Sequence, residues 1–192
     1  MTRWIESARL ELVVGKTEAI LFTTRRKFKP PTFRLQGVEI TIKKMMKYLG
    51  IWFDSTLSFR HHFLMTAEKA GRVVAYLSHL MRNLGGPREA RRRLMMSTAL
   101  SILLYGAPVW ADSMKTPYRR REMEKIHRRA ALRCVSAYRT VSTEALCVLR
   151  RSPPIELLAE ERAVVFKAKK TTTTKQEALW VKQEARRSLL VK

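Results

Sequence analysis

Acidic residues are scarce in this 192-residue sequence, which has 16 Asp and Glu against 39 Lys and Arg. The only aspartates, Asp54 and Asp112, lie far apart and have no acidic neighbour close by. Two-metal nucleotidyl transfer needs clustered carboxylates that hold two cations about 3.5–4 Å apart. We therefore expect no complete centre of that kind, and no metal or other cofactor, in this chain.

Cysteine is also nearly absent, with Cys134 and Cys147 as its only representatives. A chain of this length needs no disulfide for stability, so both thiols are expected to be free in a reducing compartment. No Cys or His spacing fits a zinc site. A nucleophile pair of Cys134 and His127 is disfavoured, because they lie about two helical turns apart. The sequence near Met1 shows no secretory signal, so we expect a nuclear or cytoplasmic protein.

Only one long stretch, residues 94–111, carries no charged side chain. Its length touches the lower limit for a membrane span, and a membrane-associated protein is one alternative interpretation. The stretch also contains Ser97, Ser101, Gly106 and Pro108, which favours a buried core helix. We accordingly expect no membrane partner.

Positive charge is abundant, and the formal net charge is +23. A compact body with such an excess repels itself unless a polyanion neutralises it. Phosphate backbones are the commonest such partner, so we expect binding to nucleic acid through the backbone of an RNA–DNA or DNA duplex. Alternatively, the positive charge could serve solubility or binding to an anionic membrane surface. The sequence does not indicate the oligomeric state.

The periodicity of apolar residues changes at residue 58. Before it, a short apolar run begins at Ala19, a hairpin is predicted around Gln36-Gly37, and residues 48–53 resemble one further strand. After it, a period of about 3.6 predicts helices, over residues 58–84, 88–104, 117–137, 142–149 and 155–166. The fold class is therefore α+β, a small β segment followed by a helical bundle. The predicted domains are residues 1–57 and 58–168, and residues 169–192 are a linker with an exposed helix.

A series of short segments gives a more specific indication. In chain order they are KTEAILF at residues 16–22, KYLGIWFD at 47–54, LLYGAPVW at 103–110, RRAALR at 128–133 and SAYRTVS at 136–142. Each is weak alone, but the ordered series closely resembles the later part of the reverse transcriptase of non-LTR (LINE-type) retrotransposons, especially the lineage of arthropod genomes. The resemblance covers roughly residues 3–168.

This resemblance implies that the β segment is the edge of a polymerase palm. Lys16 falls in the motif associated with proton delivery to the leaving pyrophosphate, although a solvated lysine at a strand entrance is the alternative. Tyr48, Leu49 and Gly50 resemble the primer grip, the hairpin that seats the primer 3′ end; Gly50 would let nucleic-acid backbone approach closely. The alternative there is a packed strand with a bulge.

The helices from Ser58 onward would then be the thumb, which holds the template–primer duplex through its phosphates. Trp110 and Tyr105 are expected to be core aromatics rather than platforms for base stacking. A solvated helix face is the ordinary alternative for the basic residues of the thumb, but few acids compensate them. The candidate phosphate contacts are Arg88, Arg91, Arg92, Arg93, Arg119, Arg120, Arg121, Lys125, Arg128 and Arg129.

The sequence also departs from the family. The paired aspartates that hold Mg²⁺ in the intact family enzyme are absent, so we expect a truncated reverse transcriptase that does not polymerise by itself. A domesticated, non-catalytic protein that binds nucleic acid or another partner is the alternative. Arg9 stands where the family usually has glycine.

Overall fold

A computed structural model describes residues 7–9, 13–25, 31–80, 88–169 and 175–190 of the chain. Short strands come first and helices follow, which confirms the α+β fold class. The chain divides into two compact units between Ser58 and Phe59.

The first unit contains six short strands in its described residues, arranged as three two-stranded pairs. The strands are β1 (Ala19–Ile20), β2 (Phe33–Leu35), β3 (Val38–Ile40), β4 (Ile42–Lys43), β5 (Met45–Tyr48) and β6 (Ile51–Asp54). β1 pairs with β4 in parallel, whereas β2–β3 and β5–β6 are antiparallel hairpins. The predicted turn between β2 and β3 is confirmed, because Gln36 and Gly37 adopt φ values of 49° and 80°.

The prediction of a single strand over residues 48–53 is wrong. Tyr48 pairs with Ile51, and the chain reverses between them at Leu49 and Gly50, whose φ values are 47° and 84°. Two successive residues with positive φ are typical of a type I′ hairpin turn. The glycine therefore belongs to a turn rather than to a bulge.

The second unit is helical and includes seven α-helices among the described residues. The helices are α1 (Arg60–Leu80), α2 (Glu89–Leu103), α3 (Ala107–Trp110), α4 (Pro117–Val135), α5 (Thr143–Arg150), α6 (Ile155–Lys169) and α7 (Lys175–Leu190). Apolar side chains at helical spacing form the buried stripe of α1, where Phe63, Ala67, Ala70 and Val74 lie. Gly71 faces α4 so closely that a Cβ there would lie 3.1 Å from Ile126 Cδ1.

Trp110 is central to the core of this unit. It is fully buried, and its ring packs edge-on against the Phe63 ring, with 5.3 Å between the ring centroids. Its indole Nε1 donates to the Tyr105 carbonyl oxygen at 2.9 Å. Tyr105 itself is 54% exposed, so the prediction that it is a core aromatic is wrong. The residue lies in the turn between α2 and α3, where its carbonyl oxygen accepts the hydrogen bond from the tryptophan.

Pro108 stands in the first turn of α3, a position that proline tolerates because its missing N–H would be unpaired there anyway. Among the described residues, no single helix is long and apolar enough to cross a membrane. One bent pair, α2 followed by residues 107–115 at an angle of 50°, meets the length and composition requirements together.

The C-terminal helix α7 packs on α6, while most of its described side chains are exposed. Arg186 Nε donates to the buried carboxylate of Glu161 at 2.9 Å, and Ala185 is buried. The predicted end of the first helix, residues 81–84, and the linker around residues 171–174 lie outside the described residues.

Candidate nucleic-acid interface

A groove of about 1040 Å³ lies where the start of α2 meets the ends of α4 and α5. Its charged lining consists of four arginines and Glu89. The arginines are Arg92, Arg93, Arg150 and Arg151, and we call this feature the arginine groove.

Helix ends position these arginines. Arg92 and Arg93 project from the first turns of α2, whereas Arg150 ends α5. Arg151 follows as the C-cap of α5 with φ 53°, a left-handed conformation that glycine usually adopts at helix ends. The carbonyl ends of α4 and α5 carry partial negative charge, which favours cations at this place. The fold thus concentrates four guanidinium groups around one concave surface.

Glu89 is the acidic residue of the groove, and it is already paired. Its Oε1 accepts from Arg93 Nη2 at 2.6 Å, and both side chains are more than 70% exposed. Such an exposed pair is screened by salt and contributes little. The groove therefore keeps an excess of positive charge.

Arg150 is half-buried in the wall of the groove. Its Nη1 lies 3.3 Å from His127 Nε2, which accepts this bond when the imidazole is neutral. Burial, and then the charge of Arg150, lower the pKa of His127 to about 3. Burial also lowers the pKa of Arg150 from its usual value. The neutral histidine thus holds the arginine at the groove wall.

The structure places eight of the ten predicted phosphate contacts in two groups. Arg92 and Arg93 line the arginine groove, and Arg88 and Arg91 are exposed at the same end of α2. The group in the first half of α4 lies about 14–22 Å from the groove along that helix, at 1.5 Å per residue. This second group consists of Arg119, Arg120, Arg121 and Lys125.

Ion pairs occupy part of the second group. Arg120 Nε pairs with Glu124 at 2.7 Å, and Nη1 of the same side chain pairs with Glu156 of α6. Lys125 pairs with Glu122 at 2.6 Å. Arg120 is only 23% exposed, so it joins α4 to α6 rather than facing solvent.

Arg128 and Arg129 are adjacent in sequence but differ in their surroundings. Arg128 donates to Thr143 Oγ1 at 3.0 Å and to the carbonyl oxygens of Arg139 and Val141 at 3.0 and 2.6 Å. We call the segment that it holds, residues 136–142, the clamped loop. Arg129 is exposed on α4. Arg128 therefore supports the fold, whereas Arg129 faces solvent.

Arg150 and Arg151 were not predicted as phosphate contacts from the sequence. Their signal was available, because two basic residues directly before Ser152-Pro153-Pro154 mark a helix end that carries charge. The sequence could not show that this end of α5 approaches the start of α2, because that depends on how α4 packs against both helices.

The candidate residues of the β unit lie at its surface. Lys16 is exposed at the end of a short 3-10 turn, Val14–Lys16. Tyr48 and Leu49 are 58% and 72% exposed, and with Gly50 they form the tip of the β5–β6 hairpin. Leucine adopts φ 47° only at a cost, since its Cβ approaches the following carbonyl. The hairpin therefore presents a strained apolar side chain to solvent.

Among the described residues, the two aspartates make local contacts and are not grouped as Mg²⁺ ligands. Asp54 Oδ2 accepts from the Thr56 hydroxyl at 2.6 Å and from the Ser58 N–H at 3.0 Å, which caps the turn after β6. Asp112 lies in the other unit, where a hydrogen bond from Lys115 lowers its pKa. In the part of the chain that the structure describes, no three His, Cys, Asp or Glu side chains are grouped to hold a metal ion.

Both thiols are free. Burial raises the pKa of Cys134 and of Cys147 above the usual value, which disfavours the reactive thiolate.

The chain is similar in sequence to proteins of type-1 retrotransposable elements. The chain is 32% identical over 143 residues to the 115 kDa protein of the type-1 retrotransposable element R1DM of Drosophila melanogaster. It is 30% identical over 172 residues to the retrovirus-related Pol polyprotein of the type-1 retrotransposable element R1 of Bradysia coprophila. A similar R1 Pol polyprotein of Nasonia vitripennis is 29% identical over 147 residues. No family model and no solved structure matches the chain.

These alignments cover 74%, 88% and 76% of the chain. The chain spans only 14% and 17% of the length of the Drosophila and Bradysia proteins, and 36% of the Nasonia protein. The similarity therefore concerns one segment of much longer polyproteins.

Proposed function

Because this chain belongs to the proteins of arthropod type-1 (R1) non-LTR retrotransposons, we propose that it is a nucleic-acid-binding segment of their reverse transcriptase. In this proposal the helical unit is the thumb, and it holds an RNA–DNA or DNA duplex by the phosphates. The similarity to R1 Pol polyproteins supports the assignment to the polymerase.

The arginine groove is the observation that carries the proposal. Four guanidinium groups line one concave surface, and the lone carboxylate among them, Glu89, is paired. Guanidinium groups donate several hydrogen bonds to phosphate oxygens in a fixed planar geometry. Contacts of this kind carry no sequence information, so the expected binding is independent of sequence.

The hairpin tip supports the proposal from the other unit. A backbone that keeps exposed Leu49 in a left-handed conformation contains strain, and such strain clusters at functional sites. We propose that Tyr48, Leu49 and Gly50 contact the primer end. Lys16 remains a weaker candidate, because the described residues place no carboxylate cluster in the same unit.

The groove can be tested by charge removal. In the variant Arg92→Gln/Arg93→Gln/Arg151→Gln, three guanidinium groups are lost while Arg150 keeps its bond to His127. We expect a fall in affinity for a 20-base-pair RNA–DNA hybrid of at least tenfold, measured by fluorescence anisotropy at about 100 mM salt.

The matched control removes three exposed cations outside the groove, in Lys167→Gln/Lys182→Gln/Arg187→Gln. The two variants have the same net charge, so an equal loss of affinity in both would show that binding depends on overall charge and not on the groove. No binding by the wild-type chain would favour the alternative of a protein-interaction module.

We further propose that the 192-residue chain does not polymerise by itself. Its two aspartates lie in different units and are engaged in local contacts. Primer extension with Mg²⁺ and all four deoxynucleotides is expected to give no product. Extension that persists after rigorous purification, and that is lost in Asp54→Asn, would contradict this.

A further inference from the structure

Tyr138 is the most exposed large hydrophobic side chain in the described part of the protein, with 84% of its surface open to solvent. It lies in the clamped loop between α4 and α5. A tyrosine side chain combines a flat apolar ring with a polar hydroxyl, and such side chains are enriched at binding interfaces.

The backbone around Tyr138 is fixed. The Ala137 N–H donates to the Leu132 carbonyl at 3.0 Å, and the Val141 N–H donates to the carbonyl of Tyr138 itself at 3.2 Å. Arg128 also donates to the carbonyls of Arg139 and Val141. The ring is therefore presented on a pre-organised loop, which lowers the entropic cost of binding.

The loop begins at the arginine groove. Ser136 lines the groove, and the Cα of Tyr138 can lie at most about 7 Å further along the chain. The exposed side chains beside the ring, Ser136, Arg139 and Thr140, are polar. A polar, cationic surround fits a polyanion better than the apolar centre of a protein interface.

We propose that Tyr138 is a stacking platform for an unpaired nucleobase, next to the phosphates held in the arginine groove. Aromatic side chains bind single-stranded nucleic acid in this way, because every base offers a π face and positive residues hold the backbone. The inference rests on the proposed function and adds to it a preference for duplexes with a single-stranded extension.

The experiment compares a blunt 20-base-pair DNA duplex with the same duplex carrying a six-nucleotide overhang. The wild-type chain is expected to bind the overhang duplex more tightly. Tyr138→Ala should weaken binding to the overhang duplex about five- to a hundredfold and leave binding to the blunt duplex unchanged. Tyr138→Phe keeps the ring and should retain the preference.

The control variant is Tyr76→Ala, which removes a tyrosine that is 69% exposed on α1. It should leave both affinities unchanged. In addition, 5-iodouracil in the overhang is expected to photo-crosslink to Tyr138, as mapped by mass spectrometry. Thermal melts should show no loss of stability in Tyr138→Ala, because the ring is exposed.

Three results would overturn the inference. If Tyr138→Ala keeps the overhang preference while blunt duplex is still bound, the stacking role is wrong and the groove proposal stands. If Tyr138→Ala instead abolishes self-association in sedimentation and leaves both affinities unchanged, the ring is a protein contact. If neither duplex is bound, both proposals fail.

Discussion

The contrast between Arg128 and Arg129 gives the sharpest prediction about the fold. In Arg128→Ala, the clamped loop loses a guanidinium group that donates to Thr143 Oγ1 and to the carbonyls of Arg139 and Val141. In Arg129→Ala, an exposed cation is lost from the same helix. The net charge of the two variants is identical.

The expected loss in the free energy of unfolding depends on how buried each hydrogen-bonded group is. A hydrogen bond to a charged group contributes about 1.5–3 kcal/mol. Water can replace the guanidinium at Thr143 and Arg139, which are exposed, but less readily at the half-buried Val141 carbonyl. We therefore expect Arg128→Ala to lower the free energy of unfolding by about 2–3 kcal/mol, and Arg129→Ala to change it by less than about 0.5 kcal/mol.

Thermal unfolding followed by circular dichroism measures this difference. A loss of that size should lower the Tm of Arg128→Ala by about 5–10 °C, while Arg129→Ala melts with the wild type. Equal Tm values for the two alanine variants would refute the structural role of Arg128. Arg128 would then be interpreted as a solvated residue that is available for contact with phosphate.

Three further predictions concern buried and strained groups. His127 stays neutral in the fold and has a pKa of about 3, so the unfolded chain takes up a proton first as pH falls below about 6.5. The protein should lose about 2 kcal/mol between pH 7.5 and pH 5 from this residue, and urea melts of His127→Gln should show a smaller loss. Leu49→Asn should stabilise the β unit by about 1 kcal/mol, because asparagine tolerates positive φ, and weaken duplex binding in titrations. Arg186→Ala leaves buried Glu161 without its partner, so hydrogen exchange in α7 should accelerate.

The helical unit was the more predictable part. Its apolar stripe and its stop signals depend on local sequence, and the predicted helix over residues 88–104 is confirmed as Glu89–Leu103. The apolar pattern alone did not predict the β5–β6 hairpin, because a run interrupted by Leu49-Gly50 lacks the Asn-Gly signal of a type I′ turn, whereas the resemblance to the primer grip implied a hairpin there.

The candidate interface could be predicted only in part. The cluster at the start of α2 was visible as a charge run, but the sequence could not tell that Arg120 and Arg128 are engaged inside the fold. Whether an arginine reaches Glu156 or the Val141 carbonyl depends on tertiary packing. The sequence alone cannot distinguish the basic residues of one helix face, because only the packing of a neighbouring element shows which of them is engaged.

The dependence of duplex affinity on salt tests the central claim most directly. If the four groove arginines neutralise three or four phosphates, the logarithm of the association constant should fall with the logarithm of the salt concentration with a slope of about −2.7 to −3.6 for duplex DNA, with little dependence on sequence. A slope near zero, or an affinity set by base sequence, would contradict binding through the phosphates in the arginine groove.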